Sequence, residues 1–168
     1  MNWDAIGAIG ELIGAAAVVG SLVYVAIQIR QNTTATQSNT QQQIFDATTD
    51  VNLAIASDPA LSELITRANQ DYESITDSDR IQLTFLYMNW FNMWHSAFGN
   101  YESGLLAEDD WGMWDKGMGL LMDNSISARK IWSASSHIYG SEFQRHVGEI
   151  IEKAGPVSNR TGIFPGVE

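Results

Sequence analysis

The chain contains no cysteine. That excludes disulfides, thiolate metal ligands and cysteine nucleophiles. Its only prolines are Pro59, Pro156 and Pro165, so the stretch from Ala60 to Gly155 has none and is open to a run of helices. Basic residues are scarce. Nine Lys and Arg stand against twenty Asp and Glu, for a formal net charge of −11. Nucleic acid is held mainly by Lys and Arg against phosphate, so it is not an expected partner. Anionic lipid headgroups would repel most of such a surface. No Walker loop, GxGxxG, GxSxG elbow or HExxH motif occurs.

What is present begins with an apolar run. Ala5 to Ile27 is 23 residues with one charged member, Glu11. As a helix it would be about 34 Å long, enough to cross a hydrocarbon core of about 30 Å. Trp3 and Tyr24 lie near its ends, where amphipathic rings favour the interface. The first residues, Met-Asn-Trp-Asp, include no Lys or Arg, and the run is longer than a signal-peptide core. The expectation is a retained single-pass anchor. Arg30 is the one basic residue close to the run. It places the following domain in the cytoplasm by the positive-inside rule.

Small residues recur within the run. Gly7, Gly10, Gly14, Ala17 and Ser21 follow spacings of 3, 4, 3 and 4, which puts them in one seam along a helix. Gly10 and Gly14 form a GxxxG, and Ala16 with Gly20 a second small pair. Such seams let helix backbones approach closely in lipid. Glu11 lies roughly 60° around the helix from Gly14, at the seam's edge. It is the candidate intramembrane polar residue, as a contact within an oligomer, a titrating group or a pore-facing group. The competing reading is a carboxylate that reaches headgroup water.

A polar stretch, QNTTATQSNTQQQ, follows from Gln31 to Gln43. It lacks Gly and Pro, and apolar residues return at helical spacing at Ile44, Ala47, Val51 and Ile55. A helical stalk to Ser57 and a solvated linker fit equally well. In a parallel oligomer, a seam through Ile27, Thr34, Gln41, Ile44, Thr48, Val51 and Ile55 would place polar side chains across the axis.

The predicted class is all-α. Residues 1–30 form the transmembrane anchor, 31–57 the polar stalk or linker, 58–155 a small aromatic-rich helical domain, and 156–168 a tail in which Ile163 and Phe164 are available for docking. Within the domain, Asp58-Pro59 opens a short helix to about Tyr72. Thr76-Asp77-Ser78-Asp79 resembles a capping box and opens a long helix to about Tyr101. The apolar residues of that long helix cover almost its whole circumference, which predicts burial on most sides or a shared partner. Glu108, Asp109 and Asp110 open the next helix, to about Met122. Asn124 or Ser125 caps one carrying Ile131, Trp132 and Ile138, and Gly140-Ser141 precedes a last one stopped by Gly155-Pro156.

No metal or cofactor is expected. His95, His137 and His146 are scattered, and His146 with Glu149 forms a single HxxE, the reverse of the order in di-iron bundles. Asp109, Asp110 and Asp115 lie beside Trp111 and Trp114, but a solvated helix start explains them better than paired catalytic carboxylates. Trp and Met at helical spacing read as core before they read as contacts to a pigment, quinone or lipid.

The run GAIGELIGAAAVVGSLVYVAIQIRQNT, followed by DVNLAIASDPAL and a Trp-rich helical domain, resembles a family of short bacterial single-pass membrane proteins. Many of them come from marine proteobacteria, and no activity is established for the family. The resemblance covers most of the chain and is strongest from Asn2 to Thr33. It implies a bacterial origin, an N-terminal anchor and a helical domain, and it transfers no functional residue. The expected function is non-enzymatic: an inner-membrane protein that self-associates in the bilayer through its span, as a scaffold or pore. The alternative is an accessory subunit docked on other membrane subunits.

Overall fold

A computed structural model describes residues 3–157 of the chain. The predicted docking residues Ile163 and Phe164 lie outside them. Six α-helices follow in order: α1 Trp3–Ser57, α2 Pro59–Gln70, α3 Asp77–Glu102, α4 Glu108–Asn124, α5 Ile126–Ser135 and α6 Ser141–Ala154. There is no strand among the described residues, so the all-α class holds. The chain divides into two compact units, Met1–Asn39 and Thr40–Glu168.

Helix α1 is continuous through the polar stretch. No Gly or Pro interrupts it there, and the hydroxyls of Thr33, Thr34 and Thr36 donate back to the carbonyls of Ile29, Arg30 and Asn32 at 2.9–3.1 Å. Those side chains solvate their own backbone instead of competing with it.

The starts and stops of the other helices have local causes. Asp58 Oδ1 accepts from the amides of Ala60 and Leu61 (2.9 and 3.3 Å), and Pro59 occupies the first turn, where its missing N–H costs nothing. Thr76 and Asp79 form a reciprocal capping box, each amide donating to the other's side chain at 3.2 Å. Ser125 is the N-cap of α5 and accepts from the Ala128 amide at 3.0 Å. Gly104 and Gly155, at φ +72° and +69°, adopt the left-handed conformation that ends α3 and α6.

The second unit packs around α3. Leu83, Leu86, Tyr87, Phe91, Trp94 and Ala97 are buried, and Ile44 of α1 joins them with Val51 and Ile55 alongside. The core is largely aromatic. Phe91 meets Trp132 edge-on at 5.2 Å, Trp132 stacks on Tyr139 at 5.3 Å, and Phe143 lies edge-on to both. Burial of α3 is not complete, because Ile81 and Phe85 are 60% and 66% exposed. Ile138, expected within α5, lies in a 3₁₀ turn after it and is exposed. That turn swings Tyr139 into the core instead. The end of α2 is also shorter than expected. Tyr72 belongs to a separate 3₁₀ turn, capped by Asp71, which accepts from the Glu73 amide at 3.1 Å.

One buried polar cluster ties α2, α3 and α5 together. The Tyr87 hydroxyl lies 3.1 Å from Ser125 Oγ and 2.8 Å from Ser127 Oγ. Asn69 Oδ1 accepts from both serine hydroxyls and from the Ser127 amide, at 2.8–3.0 Å. Burial is the main cause that pushes the Tyr87 hydroxyl above the usual tyrosine range.

Removing this hydroxyl, in Tyr87→Phe, should cost about 1–2 kcal/mol at neutral pH, measured by chemical denaturation. The pH dependence has a definite sign. An unfolded tyrosine ionises near pH 10, whereas folded Tyr87 resists ionisation. Its contribution is therefore complete below about pH 10. Above that it falls by up to about 1.4 kcal/mol per pH unit, until the folded side chain also ionises. Tyr87→Phe should flatten this alkaline loss. Equal alkaline slopes for the two proteins would contradict the assignment.

Candidate functional site

The residues singled out in the apolar run all lie on α1, in the first unit. Ten aliphatic side chains between Ile9 and Ile29 are at least half exposed, and none of the most apolar stretch is buried within the chain. Among the described residues, α1 is the one helix long and apolar enough to cross a membrane.

Gly7, Gly10, Gly14, Ala17 and Ser21 are exposed on this helix. A Cβ added at Gly7, Gly10 or Gly14 would meet nothing within 4 Å. The same holds at Gly20, so both small-residue pairs border open space. The Ser21 hydroxyl donates to Ala17 O at 2.8 Å. It is already satisfied within the helix, so Ser21 contributes small size to the seam and not an interhelical donor. Glu11 is exposed and forms no ion pair among the described residues.

Further along α1, in the second unit, the polar seam does not remain free. Gln41 Nε2 donates to Asp110 Oδ1 of α4 at 2.6 Å. Ile44 is in the core, and Thr48 Oγ1 reaches Ile44 O at 2.8 Å and Met93 Sδ at 3.5 Å. From Gln41 onward, residues of the heptad touch this chain's own α3 and α4.

The carboxylates and histidines of the helical unit are also committed separately. Asp110 receives Gln41, whereas Asp115 Oδ1 pairs with His146 Nε2 at 2.7 Å. His146 thus turns to Asp115 and not to Glu149, its HxxE neighbour in sequence. It also packs against Trp111 and Phe98, with ring centres 5.5 and 5.4 Å away. No nucleophile adjoins this pair among the described hydrogen bonds. No group of three or more potential metal ligands occurs among the described residues.

Two features escaped the sequence. Arg129 sits between helix ends, its Nε donating to Met122 O and its Nη1 to Gly155 O, and burial lowers its pKa from the ordinary value. Nothing in sequence spacing signals a residue that bonds two distant carbonyls. The other is an apolar cleft between α3, α4 and the C-terminal part of α1. Its aromatic and Met residues were legible as a set but not as a surface.

The exposed position Val18 lies near the middle of the apolar run. An arginine there should disfavour insertion by about 2.5–3.5 kcal/mol. The unaltered protein should stay with membranes through an alkaline carbonate wash, and Val18→Arg should be released in large part. Release of the unaltered protein by carbonate would mean that α1 is covered by protein and not by lipid. Compared with protein-family models, curated proteins and solved structures, the chain matches none.

Proposed function

We propose that the chain is a non-enzymatic, single-pass protein of the bacterial inner membrane that self-associates through its span and acts as a scaffold or pore. The supporting observation is the open seam on α1: glycines with nothing beside them, on a helix whose aliphatic side chains have no cover in their own chain. Lipid satisfies the aliphatic side chains, but it packs poorly into the groove that the glycines leave. A second helix fills that groove and gains dispersion contacts along it. Glu11, beside Gly14 on the helix surface, gains a polar neighbour or a wet cavity in such an assembly. Arg30 sets the helical domain on the cytoplasmic side.

Native mass spectrometry after mild-detergent extraction tests the assembly. A single homo-oligomeric mass is expected, and Gly14→Leu should weaken it by about tenfold or more in dissociation constant. A monomer, or a mixed mass with other chains, would overturn self-association and favour an accessory subunit.

Topology has its own test, made clean by the absence of native cysteine. Ser74→Cys, on the exposed surface, should react with a membrane-impermeant maleimide only after cells are lysed. Labelling of intact sphaeroplasts would place the domain outside.

A further inference from the structure

Helix α3 carries a second seam, outside the apolar run. Residues 81–101 contain no Asp, Glu, Lys or Arg, in a chain of formal net charge −11. Within that stretch Gln82, Phe85, Asn89, Asn92, Ser96 and Gly99 follow spacings of 3, 4, 3, 4 and 3. This heptad repeat puts them on one face of the helix. All six are exposed, Phe85 at 66%. A groove of about 310 Å³ beside them, between α1 and α3, is lined without charge as well.

Contact with water does not account for such a face. Asn, Ser and Gly are poorer helix formers than Glu, Lys or Arg, which a solvated helix face carries freely. An exposed aromatic ring gains nothing from water either. The Asn89 amide makes no hydrogen bond among the described residues. Asn92 Oδ1 accepts from the Tyr139 hydroxyl at 3.0 Å, which leaves the other end of that amide to a partner.

The chemistry of the face selects its occupant. A second copy brings the same charge of −11, so it approaches closely only where both surfaces lack charge. An amide is donor and acceptor at once. Asn facing its own copy is therefore satisfied, whereas a carboxylate or an ammonium facing its own copy is repelled. Asn on a heptad seam pairs in this way between parallel helices and fixes their register. At Gly99, where a Cβ would meet nothing within 4 Å, the two backbones are free to come close. A basic partner would find no carboxylate on this face, and an anionic one no cation. We propose that α3 of one copy packs in parallel register on α3 of a second copy, Asn89 against Asn89 and Asn92 against Asn92. The inference rests on the proposed self-association. The seam is mostly polar, so it aligns copies that the span has brought together and does not hold them by itself.

Disulfide trapping in isolated membranes tests it, on the full chain, which has no native cysteine. Under copper-phenanthroline oxidation, Asn89→Cys and Ser96→Cys should each give a cross-linked dimer about fivefold or more faster than Ser74→Cys, an exposed residue off the seam. Asn89→Asp, added to Ser96→Cys, sets two carboxylates face to face and should slow trapping by about threefold or more. Thermal melts by circular dichroism establish that the variants fold. Ala17→Cys reports on the span separately. Cross-linking there, with both α3 cysteines no faster than Ser74→Cys, overturns this inference and leaves association through the span standing. No cross-linking at any position overturns both. Trapping at Asn92→Cys without Asn89→Cys and Ser96→Cys would mean an antiparallel crossing and overturn the parallel register. An unchanged rate with Asn89→Asp would overturn the contact as well.

Discussion

Ten aliphatic side chains between Ile9 and Ile29 are at least half exposed, and nothing in their own chain covers them. Burying what they still expose is worth on the order of 10 kcal/mol at about 1 kcal/mol each. The one charge within the run, Glu11, costs about 2.5–3.5 kcal/mol on insertion scales, so burial wins by a wide margin. A helix is the form in which this segment can enter lipid, because its backbone groups are satisfied internally. The glycines cost helix propensity in water, about 1 kcal/mol each relative to Ala. Close helix approach, as proposed for this seam, would offset that cost.

The helical unit solves a different problem. Its core is built from rings, and rings pack in many nearly equivalent ways. The Tyr87–Ser125–Ser127–Asn69 cluster removes that freedom. The Tyr87 hydroxyl and Asn69 Oδ1 meet the two serines only when α2, α3 and α5 are in register, so a slipped arrangement would leave the buried Tyr87 hydroxyl unpaired. Arg129 acts in the same way on the C-terminal ends of α4 and α6, fixing Met122 O and Gly155 O from a single side chain. Shape supplies the stability of this unit, and a few polar contacts select which shape.

Most of the helix plan was legible because its signals are local. Thr76 with Asp79, Ser125 and Gly155 act within three or four residues of where they stand, and each ends or starts a helix as its chemistry requires. The polar run from Gln31 to Gln43 was ambiguous because composition does not separate a solvated helix from a linker. The coordinates show a continuous helix there, with threonine hydroxyls returning to the preceding turn. Ile138 was misplaced for a long-range reason. The ring of Trp132 draws Tyr139 into the core, and a 3₁₀ turn turns its neighbour out. The candidate residues on α1 were readable as a seam because a regular helix turns spacing into a face. The cleft was not, since its walls come from three helices whose approach no spacing encodes.

Charge and apolar surface act in opposite directions on association. A net charge of −11 keeps copies of the chain apart in water. At physiological salt that repulsion is screened within about 8 Å, whereas packing along a helix seam in lipid is not screened. In the proposed assembly, attraction would be concentrated on the apolar part of α1 and repulsion spread over the acidic surface. Helix α3 fits this division only in part. Ile81 and Phe85 remain exposed one turn apart on α3. Two residues make too small a patch to drive association by themselves. In the proposed self-association through the span, the surface for a second copy is the seam of five small residues on α1.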